Sequence, residues 1–148
     1  MDVLGFPLPP LLQELIEQGR WRRPTNVTTL EKITGSQYAE DFKFMDVEGM
    51  RRESRPTHLV EDQKIASVYN LASSKLSGSP IMDDEILDID KSICIAVNWS
   101  EEAICLDYRP SNSNPRVMAS VCKDGSFTKW KTIAPDFETF ATLLGLLK

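Results

Sequence analysis

The sequence predicts an α+β domain with an antiparallel or mixed central sheet and flanking N- and C-terminal helices. Apolar residues at helical spacing follow a pair of prolines near the N-terminus, and a second such pattern lies close to the C-terminus. Between them, from residue 92 onward, four strand-sized apolar runs follow one another, each bounded by turn residues. Strands grouped in one part of a chain, with helices outside them, favour an antiparallel sheet covered by helices.

Three helical segments precede the strands. The stretch PPLLQELIEQ predicts a short amphipathic helix that ends at Gly19. Thr28 or Thr29 opens a helical turn that closes at Gly35. Asp46 is placed to cap a helix through VEGMRRESR, which the following proline ends.

A basic stretch, GRWRRPTN, follows the first helix, with Arg20, Arg22 and Arg23 around Trp21. One interpretation is a contact patch. The other, which we favour, is a solvated linker whose tryptophan covers part of the core.

The strand-sized runs are SICIAV, AICLDY, PRVMASVC and FTKWKTIA. The first is apolar on both faces, as expected for a central strand. Asp124 and Gly125, between the last two runs, are typical of a hairpin turn. We therefore expect a four-strand antiparallel meander.

Asp136 then caps a final helix. Its apolar stripe consists of Phe137, Phe140, Leu143, Leu144 and Leu147.

Length and charge limit the function classes. The 148 residues, 41% of them hydrophobic, suffice for one compact domain, so we expect residues 1–148 to form a single domain. The formal net charge of -5 argues against nucleic acid as a partner, because binding the phosphate backbone requires clustered Lys and Arg. An acidic surface instead suits a basic protein partner.

No signal or membrane segment is visible in the sequence. The stretch MDVLGFPLPPLLQELIEQ lacks the basic start and the small-residue cleavage site of a secretory signal. No run approaches the roughly 20 apolar residues that a membrane span needs. We expect a soluble cytoplasmic protein without a membrane partner, as a monomer or weak dimer.

The sequence shows no recognisable catalytic or metal-binding pattern. His58 is the single histidine, which excludes a site with several histidine ligands. Cys94, Cys105 and Cys122 each lie inside an apolar run, and we interpret them as reduced core residues, as in cytoplasmic proteins. No spacing supports Cys105 and His58 as a nucleophile and its base. We therefore expect a non-enzyme without a metal or cofactor.

The segment DDEILDID, residues 83–90, is the one acidic cluster and begins with Asp83, Asp84 and Glu85. Its interleaved aliphatic residues and its lack of a central glycine exclude an EF-hand calcium loop. We favour a solvated edge that leads into the sheet. The alternative is a negative surface that steers a positively charged partner.

Charged residues mark the connection between the second and third runs. In a meander the end of AICLDY lies beside the start of PRVMASV, which brings Asp107, Arg109 and Arg116 within pairing distance. One interpretation, favoured from these residues alone, is an ion pair that organises the connecting loop. The other is a recognition surface flanked by aromatic residues of the types enriched in interfaces. These are Tyr108, Trp99 and Trp130.

At these residues the chain resembles the SUKH superfamily, named for homology to the fungal Smi and Knr cell-wall-assembly regulators. The similar segments are IAVNWSEEAICLDYRPSNSNPRVMASV and FTKWKTIAPDFETFATLLGL. LPPLLQELIEQGRW and VEGMRRESRP also look like segments of bacterial members. The resemblance implies an α+β domain without known catalytic activity. Bacterial members look like immunity proteins of polymorphic toxin systems, and eukaryotic members appear as interaction modules in regulatory proteins.

The resemblance also implies site residues. Asp107, Tyr108, Arg116 and Trp130 match signature positions, which shape the fold and line a partner-facing groove. This chain has NWSEE where many relatives have a more glycine-rich acidic turn.

The leading hypothesis is a cytoplasmic immunity protein that neutralises a protein toxin by stoichiometric binding. A nuclease toxin would offer a basic cleft, in which carboxylates substitute for phosphates. The candidate carboxylates are Asp83, Asp84, Glu85, Glu101 and Glu102. The alternative is a regulatory scaffold domain without a toxin partner. A hydrolase or thiol enzyme that uses Cys105 or the acidic cluster is the least favoured hypothesis.

Overall fold

The computed structural model describes residues 2–54, 87–100, 102–123, 126–127 and 130–147. Four features predicted from the sequence lie outside these ranges: His58, the acidic residues 83–85, Glu101 and the hairpin turn at 124–125. In the described ranges the helices are α1 (Pro10–Glu17), α2 (Thr28–Thr34), α3 (Val47–Ser54) and α4 (Phe137–Leu143). The strands are β1 (Asp2–Val3), β2 (Phe6–Pro7), β3 (Lys43–Phe44), β4 (Ser92–Val97), β5 (Ala103–Asp107), β6 (Arg116–Ser120), β7 (Cys122–Lys123), β8 (Ser126–Phe127) and β9 (Lys131–Ala134).

The main sheet has five strands in the order β3-β4-β5-β6-β9, and every neighbouring pair is antiparallel. The predicted α+β class and the meander of β4, β5, β6 and β9 are therefore confirmed. The short strand β3 extends the sheet at one edge, where Lys43 pairs with Val97. All five residues of the central strand β5 are buried, so both faces of the sheet are covered there.

The run FTKWKTIA does not form one strand. Its first residue, Phe127, belongs to β8, which pairs with β7 in a separate two-stranded sheet, in which Cys122 lies opposite Phe127. Only β9 continues the main sheet, and its pairing with β6 shifts register between Val117 and Met118. Such an irregularity bends the strand pair locally, here at the C-terminal end of β9.

The helix ends follow the local signals in the sequence. Gly19, just beyond α1, and Gly35, at the C-terminus of α2, have φ of 70° and 80°, in the left-handed region that glycine adopts without strain. Asp46 Oδ1 accepts a hydrogen bond from the backbone N of Gly49 at 2.8 Å, as a cap of α3 does. Asp136 caps α4 in the same way.

The predicted stripe of α4 is wrong at Leu143, which is 48% exposed. The helix ends at this residue, and the chain then turns through Gly145 with φ of 75°. That turn directs Leu146 into the core in place of Leu143. Phe137 and Phe140 are buried as expected.

The helices pack on the sheet around one apolar core. Helix α3 contacts β4, α4 contacts β6 and β9, and α1 contacts α4. Trp21 lies between them, with its ring centroid 4.4 Å from that of Phe44 and 5.5 Å from that of Phe137. Its Nε1 donates to the carbonyl of Met45 at 3.0 Å. The interpretation of Trp21 as a cover of the core is therefore confirmed. Within the described ranges, no helix has the length and apolar character needed to cross a membrane.

Candidate functional site

The turn between β4 and β5 presents a tryptophan to solvent. Trp99 is 91% exposed, whereas Trp21 and Trp130 are buried. Tryptophan is highly buried on average, so a ring this exposed in a folded chain stands out. We call Asn98, Trp99, Ser100 and Glu102 the Trp99 turn.

Asn98 and Glu102 hold this turn in place. The side-chain Oδ1 of Asn98 accepts hydrogen bonds from the backbone N of Ser100 and of Glu102, both at 3.0 Å. The backbone N of Asn98 donates to the carbonyl of Glu102 at 3.2 Å, and its Nδ2 donates to Glu102 Oε1 at 2.7 Å. The backbone beneath Trp99 is therefore ordered by bonds that do not involve the tryptophan side chain.

Glu102 is fully buried, contrary to the expectation that it forms part of an acidic surface. Its Oε1 also accepts a hydrogen bond from the hydroxyl of Ser36 at 2.5 Å. Burying a carboxylate costs free energy unless hydrogen bonds replace its hydration, and Ser36 and Asn98 supply such bonds. The carboxylate thus connects the Trp99 turn to the segment after α2.

The same segment brings a second aromatic residue next to the turn. Tyr38 is 39% exposed, its backbone N donates to Ser36 Oγ at 2.9 Å, and its carbonyl accepts from Asn98 Nδ2 at 3.3 Å. Sequence patterns missed Ser36 and Tyr38. No local signal could identify them, because they are joined to positions 60 and 66 residues away along the chain.

Trp99 borders a concavity of about 320 Å³, which we call the Trp99 concavity. Its lining combines apolar side chains, those of Met45 and Val97, with two residues of each charge sign. These are Asp41, Glu53, Lys43 and Arg52. The described lining is therefore balanced in charge, and its distinguishing feature is the aromatic residue at its border.

The predicted pairing of Asp107 with Arg109 and Arg116 is present. Asp107 Oδ1 lies 3.0 Å from Arg109 Nε, and Oδ2 lies 2.7 Å from Arg116 Nε. The three side chains are at most 14% exposed, so we call this cluster the buried Asp107 corner. It joins β5 to β6, in which Asp107 lies opposite Arg116, and it organises the loop between them.

Tyr108 and Trp130 also lie in the core, each about 1% exposed. The Tyr108 hydroxyl donates to the carbonyl of Pro7 at 2.8 Å, and its ring centroid lies 4.6 Å from that of Phe6. Tyr108 thereby fastens β2 to the main sheet. Burial raises the pKa of its phenol, and the charge of Asp2 adds to the shift. Among the three aromatic candidates, Trp99 alone is on the surface.

Two buried thiols, those of Cys94 and Cys105, lie opposite each other in the main sheet. Cys94 pairs with Cys105 across β4 and β5, and neither thiol forms a disulfide. Burial raises the pKa of the Cys94 thiol well above its ordinary value, and the neighbouring Cys105 thiol and the charge of Glu53 add to this. A thiol kept neutral and away from solvent is a poor nucleophile. Among the residues that the structure describes, no group of three or more His, Cys, Asp and Glu is placed to hold a metal ion.

Comparison with known protein families gives a match. The model of the SMI1/KNR4 family (SUKH-1) matches residues 2–142. No curated protein and no solved structure matches the chain. The matched range includes the whole main sheet, the Trp99 turn and the buried Asp107 corner.

Proposed function

The chain belongs to the SMI1/KNR4 family (SUKH-1), and from this premise we propose that it is an immunity protein that binds a cognate protein toxin and neutralises it without catalysis. The resemblance noted in the sequence is thereby confirmed at the level of the family. The observation that carries the proposal is the exposed side chain of Trp99 on a turn ordered by its neighbours.

An ordered, exposed tryptophan suits binding for two physical reasons. First, a partner that covers the ring removes a large apolar area from water, and tryptophan is among the residues that contribute most in interfaces. Second, the turn is already fixed by Asn98 and Glu102, so less conformational entropy is lost when a partner binds.

The Trp99 concavity extends this surface. A partner side chain inserted beside Trp99 would meet the apolar side chains of Met45 and Val97 and charged groups of both signs. Pockets that combine an apolar lining with a few polar groups give both affinity and orientation. We therefore place the toxin contact at Trp99 and its concavity, with the buried Asp107 corner as scaffold.

The net charge of -5 supports a basic toxin, such as a nuclease with a cationic cleft. The acidic residues proposed for this contact are Asp83, Asp84, Glu85 and Glu101. Glu102 is not among them, because its carboxylate is buried. Charge reversal of the four proposed residues should weaken binding to such a toxin and reduce its salt dependence, whereas unchanged affinity would remove the electrostatic part of the proposal.

The decisive experiment is protection of growing cells. A candidate cognate toxin domain is expressed together with the native chain, with Trp99→Ala or with Leu143→Ala. Leu143 is a matched control, because it is also an exposed large apolar residue but does not line the Trp99 concavity. We expect the native chain and Leu143→Ala to restore growth. Trp99→Ala should bind the purified toxin at least about thirtyfold more weakly, as expected for loss of a hot spot of about 2 kcal/mol.

Each possible result of these experiments tests a different part of the proposal. Full protection and unchanged affinity with Trp99→Ala would overturn the site but not the immunity function. No protection by the native chain, together with Trp99-dependent binding of a non-toxic endogenous protein, would replace immunity with the regulatory scaffold function. Turnover of a substrate by the purified chain, lost in a single-residue variant, would overturn both.

A further inference from the structure

The arginines of the basic stretch after α1 line a pocket of their own. Arg20, Arg22 and Arg23 border a concavity of about 260 Å³, together with Thr25 and the turn at Gly145 that follows α4. We call it the arginine pocket. It shares no lining residue with the Trp99 concavity.

These three arginines differ from the others that the structure describes. Seven arginines lie in the described ranges, and four form ion pairs. Those four are Arg51, Arg52, Arg109 and Arg116. The other three have no carboxylate of a described residue within ion-pair distance, and all three line the arginine pocket. Positive charge is therefore concentrated without a described counter-charge, on a chain whose net charge is -5.

The backbone that carries these arginines is fixed. The backbone N of Arg20 and of Trp21 both donate to the carbonyl of Leu15 at the end of α1, at 2.8 and 3.2 Å. The backbone N of Arg22 donates to the carbonyl of Arg20 at 3.0 Å. With the Trp21 ring buried and bonded to Met45, the segment is held from both sides. The guanidinium groups therefore project from an ordered base.

A structural role explains the presence of one of the three arginines, Arg20. Arg20 Nη2 donates to the carbonyl of Leu146 at 2.5 Å, which satisfies an acceptor in the turn after α4. Arg22 is exposed and forms no side-chain hydrogen bond with a described residue, and Arg23 reaches only the neighbouring carbonyl of Pro24 at 3.4 Å. The cover of the core by Trp21 does not explain why arginine stands on each side of it.

We propose that the arginine pocket binds a phosphate group. Guanidinium groups present forked N–H donors that match the oxygens of phosphate, and several of them around one concavity neutralise its charge. The Thr25 hydroxyl provides a further donor at the border of the pocket. The phosphate is either the free ion or part of a larger molecule, and the pocket is separate from the proposed toxin contact.

The test is a titration of the intact chain with inorganic phosphate at constant ionic strength, followed by the NMR signals of backbone amides. We expect saturable shifts at Trp21, Arg22 and Gly145. The double variant Arg22→Gln/Arg23→Gln should bind about a hundredfold more weakly, at about tenfold for each charge-assisted bond lost. Thermal unfolding checks that the variant is folded, and the single variant Arg22→Gln, at an exposed position, should lose about tenfold.

The matched control is Lys32→Gln/Arg51→Gln, which removes the same charge at exposed positions outside the pocket. Its affinity should stay within about twofold of native, because long-range charge alone is screened by salt. Equal weakening of both double variants would overturn the proposal.

Two further titrations identify the carrier. A phosphoserine peptide and a nucleoside diphosphate are each compared with the unphosphorylated form. Preference for one phosphorylated form identifies the source, binding of inorganic phosphate alone identifies the free ion, and failure of all three phosphate probes contradicts the site.

Discussion

Asn98 and Glu102 bond to each other in both directions across the Trp99 turn: Asn98 Nδ2 donates to Glu102 Oε1 at 2.7 Å, and the backbone N of Glu102 donates to Asn98 Oδ1 at 3.0 Å. Their side chains replace the hydrogen bonds that water would make with a buried carboxylate and an open turn. The exposed tryptophan is therefore carried by a buried polar network.

The first prediction concerns this network. Asn98→Ala should lower the free energy of unfolding by about 2 kcal/mol, because it leaves the buried Glu102 carboxylate short of a donor. Urea denaturation of both proteins measures the difference. Asn112→Ala is the control, since Asn112 is an exposed loop residue, and its stability should remain within about 0.5 kcal/mol of native. A loss as small for Asn98→Ala as for the control would contradict the role of the network.

The second prediction concerns the buried Asp107 corner. Asp107→Ala should cost about 3 to 5 kcal/mol of stability, because Arg109 and Arg116 would keep their charges at a buried position without the carboxylate. Asp107→Asn retains the shape and should lose less, which keeps the test informative if the alanine variant does not fold. Urea denaturation provides the measurement.

The comparison for that prediction is Glu48→Ala, which removes the partner of Arg51 in a solvent-exposed pair. Its expected cost is at most about 0.5 kcal/mol. Similar losses of unfolding free energy for Asp107→Asn and Glu48→Ala would show that the buried ion pairs of Asp107 stabilise the fold no more than an exposed pair does.

The third prediction is an alkaline dependence of stability. The pKa of Tyr108 is raised above its ordinary value of 10.0 in the folded chain, so the folded state holds the phenol proton more tightly than the unfolded state. The stability that this provides is complete below pH 10 and decreases as the pH rises above it. Denaturation between about pH 8 and 11 should therefore show a steeper loss for the native chain than for Tyr108→Phe.

The same variant also removes the hydrogen bond to Pro7, so it should be about 1 kcal/mol less stable than native near pH 7. Parallel pH profiles of the two proteins would exclude Tyr108 as the source of the alkaline loss.

The fourth prediction concerns the opposite end of the pH scale. The backbone and side chain of Thr139 donate to Asp136 and lower the pKa of its carboxyl below the ordinary 3.8. The contribution of this cap to stability is complete above pH 3.8 and is lost as the pH falls through the lowered folded-state pKa. Asp136→Ala should thus be about 1 kcal/mol less stable than native near pH 7, and this difference should narrow in acid. A difference that does not change with pH would contradict the charged cap.

Local signals in the sequence predicted local structure well. The caps at Asp46 and Asp136 and the glycine at the end of α2 all depend on residues within four positions of each other, so their patterns are readable without the fold. The strands β4, β5 and β6 are also readable, because each contains a continuous apolar run. The strand β3 is not, since Lys43 and Phe44 are only two residues and their partners lie beyond residue 95.

The surface of the molecule was harder to predict from the sequence. Trp99 and Trp130 are the same residue type next to strands, yet one is 91% and the other 1% exposed. The sequence predicts a solvated turn position for Glu102, but the residue is buried and bonded to Ser36, which is distant in the chain. Composition identifies candidates of this kind, and only tertiary pairing decides which of them face solvent.

The Trp99 turn has one more consequence, for how such a domain can change its partner. The bonds that order the turn use the side chains of Asn98 and Glu102 and the backbone of Ser100, but not the side chains of Trp99 and Ser100. Replacements at positions 99 and 100 therefore alter what is displayed while the supporting frame keeps its stability. In this turn, the side chains that a partner would contact are different from the side chains that keep the turn folded. Positions 99 and 100 are therefore the natural ones to randomise in a search for new binding specificities.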